Sequence, residues 1–206
     1  MKTFILASAS PARRRLLTHA GIEPKVVVSG VDESAVEAGE AATLAGTLAG
    51  LKARAVVASL GDTAGTDALV LGCDSVLAFD GEILGKPASA AEATARWKAM
   101  RGRSGVLYTG HCLVDAATGA AAEEVVATTV HFAEPDDDEI AAYVASGEPL
   151  DVAGAFTIDG RGGAFVRGIE GDHTNVVGLS IPTLRLLLAR LGVPITSLWT
   201  RGRMDP

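Results

Sequence analysis

The sequence predicts an α/β fold in which a mixed, twisted sheet is flanked by helices. An apolar run followed by a capped helix opens the chain, and long apolar runs with strand character come after it. Turn signals join neighbouring runs into at least two hairpins. Since hairpins make antiparallel neighbours and a β–α opening does not, we expect a mixed sheet rather than a doubly wound parallel one.

Length and composition narrow the class of protein. With 206 residues, 48% of them hydrophobic, the chain can bury one sizeable core, and we expect a single domain over residues 1–206. A net charge of −7 argues against a nucleic-acid polymer as partner, because such proteins usually carry a basic face. No leader pattern and no uninterrupted apolar run of about 18 residues is present, so we expect a cytoplasmic protein without membrane contact. Cys73 and Cys112 lie in apolar runs and should be reduced core thiols.

The first elements are a strand and two helices. Residues 3–7 form the strand, and Ser10 with Pro11 supplies the N-cap and first-turn proline of a helix that runs to residue 17. Apolar residues at helical spacing predict the second helix over residues 41–58. Glycines over residues 61–65 then interrupt the chain.

The middle of the chain reads as a hairpin followed by a helix. Residues 68–79 are almost continuously apolar, and the turn signal Asp80-Gly81 leads into residues 82–84, which predicts a buried strand and its partner. Ser89 and Glu92 have the spacing of a capping box for a helix that ends near residue 100.

Another hairpin and two helices complete the prediction. Strands are expected near residues 106–114 and 125–132. The acidic run that follows fits a helix start better than a metal site, because Asp136 and Glu139 form a capping box and the spacing of a calcium loop is absent. A glycine-rich turn over residues 160–163 precedes the last helix, which Ser180 begins and which runs to residue 191.

Asp74 is the strongest sign of chemistry in the chain. It interrupts an apolar strand, where an ionised carboxylate would be desolvated at a cost of several kcal/mol unless it is paired. A metal ion, a lysine or a bound substrate could each pair with it, and a carboxylate held in this way is suited to act as a general base or a metal ligand. A structural salt bridge is the alternative.

Two basic sites are candidates for phosphate contacts. Ser8, Ser10 and Arg13 lie where the first strand passes into a helix, and such a junction presents free N–H groups and a positive dipole to an anion. The alternative is that Ser10 only caps and that the arginines form a solvated face. Lys86 follows the hairpin of Asp74, and by itself it fits a surface lysine as well as a phosphate contact. Its surroundings are not a Walker A loop, because Pro87 stands where Ser or Thr would hold magnesium.

The four histidines share no ligand spacing with one another or with the cysteines, and we interpret them as structural. The segment Val31-Asp32-Glu33 shows only a loop after a short strand.

Taken together, the motifs resemble the Maf family in identity and order over nearly the whole chain. They are Leu6-Ala7-Ser8-Ala9-Ser10-Pro11 with Arg13, Val31-Asp32-Glu33, Lys52-Ala53-Arg54, Gly72-Cys73-Asp74-Ser75, Gly85-Lys86-Pro87, Tyr108-Thr109-Gly110 and Val177-Gly178-Leu179. The resemblance implies an elongated, bilobed fold with a deep central cleft, like that of inosine triphosphate pyrophosphatases, and commonly a homodimer. It also implies a hydrolase, a nucleoside triphosphate pyrophosphatase that needs a divalent metal such as Mg²⁺, Mn²⁺ or Co²⁺ and releases the monophosphate and pyrophosphate.

Roles follow from the same resemblance. Asp74 matches the catalytic acid that activates water for attack on the α-phosphorus, and Glu33 matches a residue that helps it to bind the metal. Ser8, Arg13, Lys52 and Lys86 match positions that contact phosphate.

The resemblance weakens at positions that select the base. Ala12 stands where many members carry arginine or tryptophan, Ser75 replaces a threonine, and Asp159 stands where the branch that prefers uracil and thymine has glutamine. A carboxylate only accepts hydrogen bonds, so Asp159 favours a base rich in N–H donors, such as guanine or 7-methylguanine, over uracil. A house-cleaning pyrophosphatase is the preferred function, and an inosine triphosphatase or a non-enzymatic regulator of septum formation is the alternative.

Overall fold

The computed structural model describes residues 2–36, 39–61 and 67–200. Its centre is one seven-stranded mixed sheet in the order β2-β1-β3-β5-β6-β7, with β4 paired to the far end of β3. The strands are β1 (Thr3–Leu6), β2 (Lys25–Val26), β3 (Ala68–Phe79), β4 (Glu82–Leu84), β5 (Ser104–Asp115), β6 (Ala121–Phe132) and β7 (Val166–Glu170). The helices are α1 (Pro11–His19), α2 (Ala41–Ser59), α3 (Ala90–Met100), α4 (Asp137–Ala145), α5 (His173–Val177) and α6 (Ile181–Arg190). The predicted mixed α/β architecture is confirmed.

The pairing is parallel at one edge and antiparallel elsewhere. Strand β1 runs parallel to both β2 and β3, whereas β3, β5, β6 and β7 form an antiparallel series. Both predicted hairpins are present, since β3 pairs with β4 and β5 pairs with β6. The glycine-rich interruption predicted over residues 61–65 lies outside the described residues except for Gly61.

The predicted helix starts are confirmed with one correction. The Ser10 hydroxyl accepts from the N–H of Arg13, and Asp136 with Glu139 forms a complete capping box on α4. At α3 only half of the predicted box exists. The Ser89 hydroxyl accepts from the N–H of Glu92, but the Glu92 carboxylate accepts from the N–H of Ala88 and pairs with Arg96. The Arg96 guanidinium one turn further on draws the carboxylate away from the N-cap.

Helix α2 covers one face of the sheet at unusually short range, because glycines on β3 and β5 leave room for its backbone. A Cβ on Gly72 would lie 2.2 Å from the carbonyl oxygen of Ala49, and one on Gly110 would lie 2.1 Å from that of Ala45. Gly110 is directly opposite Asp74 in the β3–β5 ladder, and Gly72 is two residues before it on the same face. The two glycines therefore bring α2 down onto the strand that carries Asp74.

The packing of α2 against the sheet explains why this helix is so apolar. Among the described residues, it is the one helix whose length and hydropathy would suffice to cross a membrane. Its apolar side chains lie against the sheet, in a cluster with Val70 and Cys112. Lys52 on the same side of the helix is buried in an ion pair.

The opposite face of the sheet carries two hydrophobic clusters. One joins β1 and the first half of β3 to α1 and α6, with Leu71 and Leu187 among its members. The other joins the second half of β3 to α3 and α4 around Trp97. Cys73 and Cys112 are both buried and free, as predicted. The short helix α5, which the sequence did not suggest, begins at an Asp172 cap between β7 and α6.

Candidate active site

The site begins with a gap along one edge of β3. Strand β1 pairs with β3 as far as Leu71, and β4 pairs with it from Leu77 onward. Because β5 occupies the other side throughout, residues 72–76 have no strand partner at this edge within the described parts of the chain. Asp74 and Ser75 are in this gap, and alternation along the strand directs their side chains to opposite faces. A ligand at the gap can therefore reach both faces of the sheet.

On the α2 face, Asp74 is held by Lys52. The Lys52 ammonium donates to Asp74 Oδ1 at 2.5 Å, and both residues are 7% exposed. The same ammonium lies 2.7 Å from Glu33 Oε1. Glu33 begins a 3₁₀ turn that the Asp32 carboxylate caps by accepting from the N–H of Ser34, and its side chain is half exposed. One lysine thus separates two carboxylates.

Burial and charge act in opposite directions on Asp74. Burial raises the pKa of the Asp74 carboxyl, and this effect exceeds the lowering caused by Lys52 and Arg13. The net pKa is above the ordinary value for aspartate. A carboxylate with a raised pKa binds a proton more readily than an exposed one, which is the property required of a general base.

On the opposite face, Arg13 is fixed by neutral oxygens. Its Nε donates to the carbonyl oxygen of Gly178 at 2.7 Å, Nη1 donates to Ser8 Oγ at 3.1 Å, and Nη2 donates to Ser75 Oγ at 3.0 Å. Arg13 is buried, whereas Arg14 and Arg15 of the same helix are exposed. The alternative of a solvated arginine face therefore applies to Arg14 and Arg15 and is wrong for Arg13.

Further buried polar groups fix these partners. Ser75 Oγ is 2.9 Å from Thr109 Oγ1, which donates to the carbonyl oxygen of Asn175. The Asn175 amide is fully buried and donates to the carbonyl oxygen of Val126 and to Thr128 Oγ1. A network of hydrogen bonds through β5 and β6 to α5 thus fixes the position of the Arg13 guanidinium.

His111 stabilises the start of α6 beside this network. Its Nε2 accepts from the N–H of Ser180 at 2.9 Å. Burial, and secondarily the charge of Arg13, lowers the pKa of His111 to about 4. The ring is therefore neutral at pH 7 and acts as an acceptor in the fold.

The remaining predicted residues lie around the gap with different degrees of exposure. Ser10 caps α1, and its N–H donates to Ser8 Oγ, so it shapes the loop that holds Ser8. Lys86 is exposed just beyond β4. Continuing the β3–β4 register would bring residue 86 level with Ser75, although the ladder itself ends at Leu84. No contact joins Lys86 to Asp74 in the described structure.

Asp159 is paired with a cation that the sequence did not suggest. Its Oδ2 lies 3.2 Å from Arg15 Nη2, and both side chains are partly exposed. The loop of Asp159 is organised by Glu148. That carboxylate accepts from Tyr143, from Thr157 and from the N–H groups of Arg161 and Gly162.

Glu33 and Asp74 are the residues that fit a divalent cation. Their oxygens converge on one positive group, the Lys52 ammonium, and hard carboxylate oxygens are the ligands that Mg²⁺ and Mn²⁺ prefer. No cluster of three or more His, Cys, Asp or Glu side chains occurs in the described part of the chain. Two carboxylates are sufficient where substrate phosphates and waters complete the coordination of magnesium.

Sequence reasoning missed the residues that support the site. Thr109 and Gly178 belong to motifs of the Maf resemblance, but the sequence predicted no binding or catalytic role for them. It predicted none for Asn175 and Glu148 either. A polar residue inside the apolar strand of Thr109 was a usable signal, like that of Asp74. The contacts of Gly178 and Asn175 join residues that are distant in the chain, and local patterns carry no sign of them.

The chain is similar to known proteins over most of its length. The family model for Maf-like protein matches residues 3–191. A protein of Salinispora tropica named nucleoside triphosphate pyrophosphatase is 64% identical over 96% of this chain and 88% of its own length. Proteins with the same name from Streptomyces avermitilis and Synechocystis sp. are 60% and 51% identical over 97% and 96% of this chain, and over 95% and 98% of their own lengths.

Proposed function

Because the chain belongs to the Maf-like protein family, we propose that it hydrolyses a nucleoside triphosphate to the monophosphate and pyrophosphate. Relatives that share half or more of its residues over nearly its whole length carry the name of that activity. The observation that carries the proposal is the arrangement at the β3 gap. A buried carboxylate of raised pKa lies there beside a lysine and a fixed arginine.

Asp74 is the proposed general base. Water that attacks the α-phosphorus must lose a proton, and a carboxylate with a raised pKa accepts it more readily than an ordinary aspartate does. Before any ligand binds, the ion pair with Lys52 holds the Asp74 carboxylate in position at the gap.

Arg13, Ser8, Lys52 and Lys86 are the proposed phosphate contacts. Cleavage between the α- and β-phosphates is mainly a problem of in-line positioning and of charge neutralisation. Arg13 is held by neutral oxygens alone, so its full charge is available to a phosphate. Lys86, exposed at the end of β4, is free to turn toward a polyphosphate.

Glu33 and Asp74 are the proposed holders of a divalent metal. When bound, Mg²⁺, Mn²⁺ or Co²⁺ would supply charge neutralisation and lower the pKa of a coordinated water. Asp159, near Arg15, is the proposed selector of a base rich in N–H donors, such as guanine or 7-methylguanine. A cytoplasmic location, a homodimer and a role in septum formation stay predictions.

Pyrophosphate release from a panel of canonical and modified nucleoside triphosphates tests the activity. Each nucleotide is assayed with Mg²⁺, Mn²⁺ and Co²⁺. We expect metal-dependent release that Asp74→Asn reduces by about 10²–10⁴-fold, the usual contribution of a general base. Asp137→Asn is the matched control, because Asp137 is an exposed, ion-paired aspartate on α4.

The outcome separates the functional classes. A folded Asp74→Asn protein with full activity would remove Asp74 from the mechanism. Release from no nucleotide by the wild type would favour the regulatory binding role, and release from inosine triphosphate above all others would favour the inosine triphosphatase.

A further inference from the structure

We propose that Lys52 is a displaceable counter-ion, which a divalent cation and a polyphosphate remove together from Glu33 and Asp74. This inference rests on the proposed function and adds to it a linkage between the two ligands. Its consequence is that metal and nucleotide bind synergistically, each weakly alone and both tightly together.

The cluster of Lys52, Glu33 and Asp74 carries unequal numbers of positive and negative groups. Lys52 Nζ is within hydrogen-bond distance of Glu33 Oε1 and Asp74 Oδ1, at 2.7 and 2.5 Å. One positive and two negative groups leave the cluster with an excess negative charge. The cluster attracts a further cation, but its two converging oxygens are already engaged by the ammonium.

The Lys52 ammonium and a metal ion compete for the same carboxylate oxygens of Glu33 and Asp74. Any cation that used both Glu33 Oε1 and Asp74 Oδ1 would have to lie between them, where Nζ now lies. A divalent cation that binds these two oxygens must therefore displace the ammonium, and a displaced ammonium without a new partner loses two charge-assisted hydrogen bonds. The lysine therefore lowers the metal affinity of the protein when no nucleotide is present.

The side chain of Lys52 can move, whereas its backbone lies closely packed against the sheet. Helix α2 is seated on Gly72 and Gly110, so that its main chain has no room to shift toward the sheet. Lysine carries its charge on four flexible methylenes, and the half-exposed Glu33 leaves one side of the cluster open. The Lys52 side chain can therefore adopt two arrangements, one with its ammonium on the two carboxylates and one with it displaced.

A bound polyphosphate provides the new partner of the displaced Lys52 ammonium. Lys52 and Arg13 bind adjacent residues of β3, Asp74 and Ser75, so a polyphosphate drawn to Arg13 at the gap comes within reach of Lys52 as well. Phosphate oxygens would accept the ammonium and leave two carboxylates for the metal. Because binding linkage is reciprocal, the metal must increase nucleotide affinity by the same factor.

Mn²⁺ binding measured by titration calorimetry without nucleotide tests the proposal. We expect Lys52→Met to bind Mn²⁺ about tenfold more tightly than the wild type, because the competing ammonium is gone. Lys52→Arg keeps the charge and should bind Mn²⁺ like the wild type. Lys98→Met is the control, since Lys98 pairs with an exposed aspartate elsewhere. Unchanged or weaker Mn²⁺ binding by Lys52→Met would overturn the proposal.

A second measurement uses the wild type and does not depend on how a variant folds. Reductive methylation of lysines, read by mass spectrometry, reports whether Lys52 is accessible. We expect Mg²⁺ at a saturating concentration to increase the modification of Lys52 severalfold and to leave Lys98 unchanged. No increase would show that the metal binds with the ammonium in place, which contradicts displacement.

Neither readout requires turnover, so the two proposals fail separately. Tighter Mn²⁺ binding by Lys52→Met in a protein that hydrolyses no nucleotide would refute the proposed activity and support the displacement. Hydrolysis by a protein whose Mn²⁺ affinity does not respond to Lys52 would support the activity and refute the displacement.

Discussion

The two faces of β3 hold their cations in opposite ways. On one face, Arg13 donates to a carbonyl and two hydroxyls, all of them neutral. On the other, Lys52 lies between two carboxylates. Neutral partners fix a guanidinium without neutralising its charge, whereas acidic partners neutralise an ammonium. In the proposed displacement, a polyphosphate takes the ammonium from those acidic partners. Arg13 is therefore a permanent part of the site, whereas Lys52 occupies the place of a metal ion until the ligands bind.

Among the tests of this comparison, the largest effect is expected from Arg13→Lys, which keeps the positive charge and removes the planar guanidinium. A lysine cannot reach Gly178, Ser8 and Ser75 together, so its charge will not be fixed beside the gap. We expect kcat/KM to fall about 10- to 100-fold, the scale of one or two charge-assisted hydrogen bonds. Steady-state kinetics on the preferred nucleotide measures the change.

The exposed neighbour provides the control for that experiment. Arg14→Lys changes the same residue type on the same helix, where the side chain pairs with Glu23 at the surface. Equal losses in the two variants would mean that the neutral partners of Arg13 do not matter, and the comparison between the faces would break.

Gly72→Ala tests whether the missing side chain of Gly72 is what lets α2 pack closely on the sheet. The new Cβ would lie 2.2 Å from the carbonyl oxygen of Ala49, so the helix must move away from the sheet. We expect a loss of about 1–3 kcal/mol in the free energy of unfolding, as for other overpacked core positions. Urea denaturation measures it. Gly168→Ala on β7 is the control, because a Cβ on Gly168 meets nothing within 4 Å and its φ is not positive.

The pH dependence of kcat/KM in Lys52→Met tests the ion pair on the Lys52 face of β3. Lys52 lowers the pKa of Asp74 against the effect of burial, so removing its charge must raise that pKa. Asp74 has to be ionised to accept a proton, and activity falls as pH drops through its pKa. The acidic limb of the kcat/KM profile should therefore move to higher pH in Lys52→Met and stay in place in Lys98→Met. A shift to lower pH would contradict the assigned ion pair.

The smallest effect is expected at the exposed ion pair of Arg15 and Asp159. Exposed pairs contribute little to stability, so Asp159→Asn should melt at nearly the wild-type temperature. Its amide can donate as well as accept, so we expect the ratio of activity on guanine to uracil nucleotides to fall by about tenfold or less. Asp151→Asn on a nearby exposed turn is the matched control. An unchanged ratio would remove Asp159 from base selection.

Local patterns in the sequence were sufficient for most of the fold. Apolar runs, turn dipeptides and capping residues predicted α1, α2, α3, α4 and α6 and both hairpins, because each signal depends on neighbours within a few residues. The exception at Ser89 had a local cause as well, since Arg96 competes for the Glu92 carboxylate. The short elements β2 and α5 lack enough residues to produce a periodic pattern.

The sequence by itself also determined that Asp74 needed a partner, because a carboxylate in an apolar strand cannot remain ionised alone. Only the tertiary structure decided that the partner is Lys52 and that Glu33 shares it. It likewise decided that Arg13 is buried among neutral oxygens and that Arg15 pairs with Asp159. These choices depend on how closely α2 and α1 approach the sheet, and that distance is set by contacts such as those at Gly72 and Gly110, which join residues far apart in the chain.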